Sequence, residues 1–391
     1  MRSSINVSDF MKVLGHRTRF SWQEWALGIC VLLTACSPRE GRIVTRVIQA
    51  PSISQNRLGI SDQQPIAIYL PPSYGSSQRR FPVLYFLPNF KTDIWRYTGG
   101  SYQRFHLKEA IDKQVSSGAM PEMIVVIPNT AHSLGGSCYR NSPLTGQWED
   151  YIVKDVVNYI DSHFRTIPSA TARGLSGHGI GGTGALELAL KHPNVFGSVY
   201  AMSPALFDQN GLRDFGILSD SQLEKWQAKL QQWQNLDESA RRKPFRDFIQ
   251  THLNSPSRGR FFEGLYVSYA AAVAPDLSLP FPHIAWPEPG ALELSKPDLR
   301  AQYENGMGGW EAKIAEYLAK GTRLHSITIE YTRDDEYHWL RRGAVHVSGL
   351  MRAQGIEHSL EVHEGGHDST LGQRLGTAML PTVANALCSA K

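Results

Sequence analysis

The stretch GLSGHGIGGTGALELALKHP, which begins at residue 174, has the composition of a strand end, a tight turn and the start of a helix. Enzymes that present a nucleophilic serine on such a turn carry the pattern G-x-S-x-G. The five residues from Gly177 to Gly181 read Gly-His-Gly-Ile-Gly. The serine position of the pattern is therefore occupied by Gly179, which has no oxygen with which to attack a substrate.

Strands and helices alternate around this turn. The apolar runs Phe81–Phe90 and Met123–Asn129 are typical of strands buried on both faces. Trp148–Phe164 has apolar residues at helical spacing, and a further helix is predicted from about His338 to Gln354. This alternation predicts an α/β fold with a mostly parallel central sheet and helices on both faces.

The alternation stops between Pro204 and about Thr322, in a segment rich in Gln, Trp, Arg and Pro. Helical stretches are predicted there at Asp220–Asn235 and Leu299–Lys320. Because the strands on either side belong to one sheet pattern, we interpret residues 205–322 as a largely helical cap inserted over one end of the sheet. A small independent domain is the alternative.

Composition excludes few classes of protein. The chain has 391 residues, of which 41% are hydrophobic and 19% charged, as in an ordinary globular protein with enough material for a core. The formal net charge is +4 and no long basic run occurs, so nucleic-acid binding has no support.

The N-terminus has the layout of an export signal: basic residues and then the apolar run Trp25–Cys36, which ends in LTAC. This ending resembles the bacterial lipobox, which implies a signal peptide over residues 1–35, a lipid on Cys36 and anchoring of the exported protein to a bacterial membrane. Residues 36–59 would form a linker and the first strand. A plain secretory signal or an N-terminal membrane anchor remain alternatives, and translation could start at Met1 or Met11.

Three runs, residues 66–90, 142–166 and 173–204, together resemble the putative-esterase branch of the α/β-hydrolases, which includes S-formylglutathione hydrolases, feruloyl esterases and mycolyltransferases. The resemblance implies an α/β-hydrolase domain over residues 60–391. The family usually has G-H-S-M-G-G where this chain has G-H-G-I-G-G, which again places Gly179 at the nucleophile position. We expect Ser176, three residues earlier, to point into the sheet rather than to replace the missing nucleophile.

The resemblance also implies the remaining site residues. The loop RDDEYHW would supply the acid, for which Asp335 matches best and Asp334 is the alternative, and the GGH triplet would supply the base His367. The oxyanion donors would be the backbone N–H groups of Ile180 and Phe90. The family's H-G pair is replaced by Pro88-Asn89, a change that could shift this loop or bring Asn89 into the pocket.

His363, Glu364 and His367 also match H-E-x-x-H, the zinc-protease pattern, which requires a helix. Two glycines interrupt the motif and a predicted strand precedes it, so we expect no metal site and no cofactor. Cys138 and Cys388 could form a disulfide in an oxidising compartment or remain free.

We therefore expect an exported esterase-family protein whose pocket binds a small ester or acyl-like ligand but lacks ordinary serine-esterase turnover. Its oligomeric state is not indicated. One alternative is an active hydrolase that uses His367 with water or an unrecognised nucleophile, in which case Gly179→Ser raises activity. Another is a surface interaction or carbohydrate-binding protein, for which the aromatic candidates in the insertion are Trp226, Trp233, Trp286 and Trp310.

Overall fold

A computed structural model describes residues 40–100, 105–290 and 297–389. The predicted signal peptide and Cys36 lie outside these ranges. The strands, numbered in chain order, are β1 (Arg42–Gln49), β2 (Gln63–Leu70), β3 (Val83–Leu87), β4 (Ile124–Pro128), β5 (Asn141–Ser142), β6 (Gly146–Gln147), β7 (Arg173–His178), β8 (Ser198–Met202), β9 (Ser326–Thr332) and β10 (Ser359–His363).

Eight of these strands form one sheet in the order β1-β2-β4-β3-β7-β8-β9-β10. The strands β1, β2 and β4 pair antiparallel, and every pair from β4 to β10 is parallel. The side chains of β3 alternate between two cores: Val83, Tyr85 and Leu87 belong to one, while Leu84 and Phe86 belong to the other. This period of two is the property of a strand buried on both faces.

The helices, numbered in chain order, are α1 (Ile94–Thr98), α2 (Leu107–Ser116), α3 (Trp148–Asp150, Tyr151–Val156 in π-helical geometry, and Val157–His163), α4 (Ile180–Lys191), α5 (Gly211–Phe215), α6 (Asp220–Trp233), α7 (Glu238–Leu253), α8 (Arg258–Val273), α9 (Pro297–Asn305), α10 (Trp310–Ala319), α11 (His338–Ala353) and α12 (Leu371–Arg374, Leu375–Met379 in π-helical geometry, and Leu380–Ser389). The core on one face includes α3, α4, α10 and α11, and the core on the other includes α1, α2 and α12. The predicted fold class, a mostly parallel sheet with helices on both faces, is confirmed.

The segment between β8 and β9 is helical, as predicted, but its helices differ in part from the prediction. The helical stretch predicted at Leu299–Lys320 contains two helices, α9 and α10, and Gly309 between them has a left-handed φ of 67°. The helices α7 and α8, which pack against each other, were not predicted. None of the helices in the described ranges combines the length and the apolar character needed to cross a membrane.

Candidate functional site

The turn between β7 and α4 is built from glycines. Gly179 stands between the two elements with φ 58° and ψ −120°, a left-handed backbone that favours glycine. On Gly181 a Cβ atom would lie 2.1 Å from the carbonyl oxygen of Leu87, so the helix can approach β3 only without a side chain at this position. The sequence therefore specifies a tight turn whose crest is a residue without a side chain.

The hydroxyl groups next to the turn are bound to backbone carbonyls. Ser176 is fully buried, and its Oγ donates a hydrogen bond of 2.7 Å to the carbonyl of Tyr200. The Oγ1 of Thr183 donates at 2.8 Å to the carbonyl of Ala205. Ser176 thus lies in the sheet, as expected from its position three residues before the crest.

An acid and an imidazole meet at the ends of β9 and β10. The Nδ1 of His367 lies 2.9 Å from Oδ2 of Asp335, and both residues are buried. The other carboxylate oxygen of Asp335 accepts a hydrogen bond of 2.9 Å from the backbone N–H of Tyr337. Asp334, the alternative acid, is exposed. The structure therefore brings Asp335 and His367 together and leaves Asp334 outside the pair.

The backbone of His367 is held by charged neighbours. Its N–H donates to the carboxylate of Glu336 at 3.0 Å, and its carbonyl accepts from the guanidinium of Arg374 at 2.8 Å. Arg374 is 3% exposed and forms an ion pair with Glu330, which is fully buried. Hydrogen bonds to both the N–H and the carbonyl of His367 thus fix its backbone, which holds the imidazole in place relative to the turn.

A second imidazole lies under the first. The rings of His178 and His367 have centroids 4.5 Å apart, and His178 is fully buried. Burial holds the pKa of His178 well below its usual value, and the neighbouring His367 and Arg374 lower it further. His178 is therefore neutral across the physiological pH range.

His178, His367 and Asp368 bring three potential metal-ligand atoms within 4.8 Å of one another. However, the Nδ1 of His178 is 3.3 Å from the side-chain nitrogen of Asn89, and 3.9 Å from Oδ1 of Asp368. Since an amide nitrogen can only donate, it uses the imidazole lone pair that a metal ion would need. The Nδ1 of His178 is thus engaged by Asn89 and does not offer a free lone pair to a metal ion in this arrangement.

The side chain of Asn89 lies against the two backbone N–H groups that the family resemblance assigns as oxyanion donors. The backbone N–H of Phe90 donates to Oδ1 of Asn89 at 2.7 Å, and the N–H of Ile180 donates to the same oxygen at 3.1 Å. Because backbone N–H groups can only donate, these two contacts fix which end of the Asn89 amide carries the oxygen and leave its nitrogen facing the Nδ1 of His178. A side-chain carbonyl of the protein therefore accepts both hydrogen bonds that the family resemblance would assign to a substrate oxyanion.

The loop that carries Asn89 is anchored through its backbone. The N–H of Asn89 donates to the hydroxyl of Tyr97 at 3.2 Å, its carbonyl accepts from the N–H of Thr92 at 3.1 Å, and the preceding carbonyl of Pro88 accepts from Tyr139 at 2.6 Å. The position of the loop thus does not depend on the Asn89 side chain.

Asn89 and Gly179 are in direct steric competition. A Cβ atom built on Gly179 would lie 2.4 Å from Oδ1, 2.7 Å from Cγ and 2.8 Å from Nδ2 of Asn89. Contacts this short are well inside van der Waals separation, so any side chain at position 179 requires Asn89 to rotate. The two departures from the family pattern are physically connected.

A cavity of about 300 Å³ lies next to the turn. Asn89, Gly179, Ile180 and His367 line it at one end, together with the charged side chains Lys91, Arg96 and Asp368. Its apolar wall comes largely from the insertion and α11, namely Phe215, Phe261, Phe262, Leu265, Trp339 and Leu340. The arrangement can enclose a mainly apolar ligand against the imidazole.

The residues of the H-E-x-x-H match have separate partners. His363 ends β10 and its Nε2 lies 3.4 Å from Glu330, whereas Glu364 is exposed and lies 3.1 Å from Arg333. The motif is therefore not on a helix.

The tryptophans of the insertion are mostly packed in its core. Trp310 is fully buried and Trp233 is 7% exposed, while Trp226 and Trp286 line a second cavity of about 320 Å³ within the insertion.

The two cysteines in the described ranges are not paired. Cys138 is buried, Cys388 is exposed and both thiols are free, so the possible disulfide is not formed.

Comparison with known proteins agrees with this architecture. Residues 59–252, about half of the chain, match the family described as Putative esterase. An esterase of Mycobacterium tuberculosis is 29% identical over 158 residues, which cover 39% of this chain and 31% of that protein. The match thus spans about a third of the length of the curated relatives.

Solved structures share the fold at low identity. S-formylglutathione hydrolase from Agrobacterium tumefaciens superposes with a TM-score of 0.51 and 16% identity, covering 89% of this chain and 96% of that one. FphF, a fluorophosphonate-binding serine hydrolase of Staphylococcus aureus, gives a TM-score of 0.52 at 13% identity, covering 90% and 98%. At this identity the likeness establishes the α/β-hydrolase fold alone.

Proposed function

Because the chain belongs to the esterase family that residues 59–252 match and has the α/β-hydrolase fold, we propose that it binds an ester- or acyl-like ligand without ordinary serine-esterase turnover. One observation carries the proposal: the crest of the turn is Gly179, beside the paired Asp335 and His367. An acid and a base without a nucleophile leave a pocket in which the covalent step has no attacking oxygen.

The size of the expected loss is large. Removing the serine of a serine protease lowers turnover by about 10⁶, or roughly 8 kcal/mol of barrier. In this chain the oxyanion donors are also occupied, and loss of one such donor alone lowers turnover by about 10²–10³. The apolar wall of the cavity supports binding of an acyl-like group, since it can bury such a ligand without chemistry.

Turnover is tested with the full chain purified in mild detergent, using p-nitrophenyl butyrate and a fluorophosphonate probe. We expect no covalent labelling and a rate that His367→Ala leaves unchanged. Labelling of a serine, together with turnover that is lost in His367→Ala, would contradict the proposal.

Binding is tested separately, with a methyl ketone that has the shape of an ester but no leaving group. Trp339 lines the cavity, so we expect binding to quench its fluorescence. Trp339→Phe is the matched control: it should remove most of the signal while calorimetry still detects the ligand. Absence of calorimetric binding by a series of short to medium ketones would contradict the ligand-binding part of the proposal.

The retained pair, at 2.9 Å, favours a second candidate function, a slow hydrolase in which His367 activates a water molecule. This function predicts turnover without fluorophosphonate labelling, and a loss of that turnover in both His367→Ala and Asp335→Asn. The same two assays therefore separate the candidates.

We also propose export and lipid anchoring through Cys36, because the apolar run and LTAC resemble a lipoprotein signal. Several acyl chains would make such anchoring stable. We expect the protein in the membrane fraction of its host and Cys36→Ala in an unprocessed or released form. An unchanged mass and membrane fraction in Cys36→Ala would contradict anchoring at this residue.

A further inference from the structure

We propose that Asn89 acts as an internal occupant of the oxyanion site, and that Gly179 is the substitution that makes room for it. The inference rests on the proposed function in that both place this site at the N–H groups of Phe90 and Ile180. It goes further in naming a second block on chemistry: the missing serine is accompanied by a carbonyl of the protein that takes the place of the substrate carbonyl.

The hydrogen bonds carry the first step. The N–H groups of Phe90 and Ile180 come from two separate turns of the fold, and both reach one oxygen of Asn89, at 2.7 and 3.1 Å. An ester carbonyl that is to be polarised needs these same donors. It can bind them only after the Asn89 side chain has left, so a ligand in the cavity is held by the apolar wall and His367 instead.

The amide is held in place from its other end as well. Its nitrogen faces the Nδ1 of His178 at 3.3 Å. Because an amide nitrogen can only donate, this hydrogen bond requires the imidazole tautomer of His178 in which Nδ1 carries the lone pair. Rotation of Asn89 therefore breaks contacts with Phe90, Ile180 and His178 together, which favours the filled state.

The steric contact carries the second step. Every L-residue other than glycine has a Cβ atom at the same place. In a serine at position 179, that atom would lie 2.4 Å from Oδ1 of Asn89. The filled oxyanion site and a side chain on the turn thus exclude each other. It follows that Gly179→Ser displaces the Asn89 side chain from the oxyanion site, so that this one substitution supplies a hydroxyl and frees both donors.

The test compares Gly179→Ser with the double variant Asn89→Ala/Gly179→Ser in the full chain. We expect the two variants to hydrolyse p-nitrophenyl butyrate and to be labelled by fluorophosphonate at rates within about tenfold of each other, because the Cβ atom added at position 179 already displaces the Asn89 side chain from the two donors. An oxyanion site still filled in the single variant would make it slower by about 10², the size of one donor. Addition of His367→Ala to either variant should abolish the hydrolysis gained over the wild type. The matched control is Asn89→Ala alone, which frees the donors without supplying a hydroxyl and should remain unlabelled.

A second measurement does not depend on catalysis. In the wild type, the amide of Ile180 is hydrogen-bonded to a side-chain oxygen, so its ¹H chemical shift should move upfield in Asn89→Ala and much less in Asn89→Asp. A double variant that is at least about 10²-fold faster than the single serine variant overturns the proposed exclusion between Asn89 and a side chain at position 179. An Ile180 amide that is unchanged by Asn89→Ala overturns the proposed occupancy of the oxyanion site. The turnover assay of the wild-type protein tests the proposed function separately. Failure of the proposed function can therefore be distinguished from failure of the proposal about Asn89.

Discussion

Placing a serine at position 179 adds a Cβ atom that, in the native backbone, lies 2.4 Å from Oδ1 of Asn89. The Gly179→Ser variant can fold only if the Asn89 side chain rotates away. Its two hydrogen bonds with Phe90 and Ile180 are then lost. Stability and side-chain position at these two sites are therefore coupled, and the coupling can be measured without any substrate.

The magnitude follows from two contributions. A non-glycine residue at φ 58° costs about 1–2 kcal/mol. Loss of the two hydrogen bonds of Asn89 costs about 1–3 kcal/mol in total. Gly179→Ser should therefore lower the free energy of unfolding by about 2–5 kcal/mol, and Asn89→Ala, which loses only the hydrogen bonds, by about 1–3 kcal/mol.

In the double variant the hydrogen bonds are lost once, not twice, and the steric conflict is gone. Its destabilisation should therefore be close to that of Gly179→Ser alone, with a coupling of about 1–3 kcal/mol. Urea denaturation of the four proteins, followed by far-ultraviolet circular dichroism, gives the cycle. Gly179→Ala is the control for the hydroxyl: since it adds the same Cβ atom, it should show the same coupling to Asn89→Ala.

Additive effects within about 0.5 kcal/mol would refute the reasoning, because independent sites add to within that margin. A coupling found for Gly179→Ser but not for Gly179→Ala would also refute it, since the hydroxyl and not the Cβ atom would then be responsible.

Two further predictions concern stability away from the site. The carboxylate of Glu149 accepts a hydrogen bond of 2.8 Å from His192; although burial acts to raise its pKa, this bond and one from a neighbouring lysine lower it to about 2. The stabilisation from a lowered carboxyl pKa is present above about pH 4.5 and is lost toward pH 2. The unfolding free energies of wild type and Glu149→Gln should therefore converge as pH falls from about 5 to about 3, and a difference independent of pH would contradict this. In α11, a Cβ atom on Gly343 would lie 1.9 Å from the carbonyl oxygen of Leu206, whereas one on Gly349 meets nothing within 4 Å. Gly343→Ala should destabilise by about 1–3 kcal/mol, and its control Gly349→Ala should stabilise by about 0.5–1 kcal/mol; similar thermal midpoints for the two variants would contradict the contact.

Most of the sheet could be predicted because its signal is local. The run Val83–Leu87 is apolar at every position, and such a continuous apolar run is typical of a strand that is buried on both faces. The turn at Gly179 could be located because its glycines have fixed spacing between a strand and a helix. The insertion was less predictable. Pro244 lies inside α7, where proline usually indicates a helix end, and the glycines from Gly306 to Gly309 divide the predicted helical stretch Leu299–Lys320 into two helices.

The position of the Asn89 side chain could not be predicted from sequence. Its rotamer depends on where the N–H of Ile180, 91 residues later, meets the N–H of Phe90. The sequence shows that Pro88-Asn89 departs from the family pattern, but nothing in it connects this change with Gly179. The connection is a distance in space, between the amide of Asn89 and the Cβ atom that any side chain at position 179 would bring.

The retained acid and base do not by themselves indicate turnover, because both have structural roles. Asp335 accepts the N–H of Tyr337 at the start of α11. The backbone of His367 binds Arg374, whose charge is paired with Glu330 in the interior. Breaking a buried ion pair typically costs about 3–5 kcal/mol, so substitutions that disturb this network are opposed by stability whether or not catalysis occurs. Position 179 belongs to no such ion-pair network, and under the proposal made above a change there removes the chemistry while Asn89 accepts the two hydrogen bonds. A protein of this family can therefore lose its nucleophile and keep the appearance of an active site.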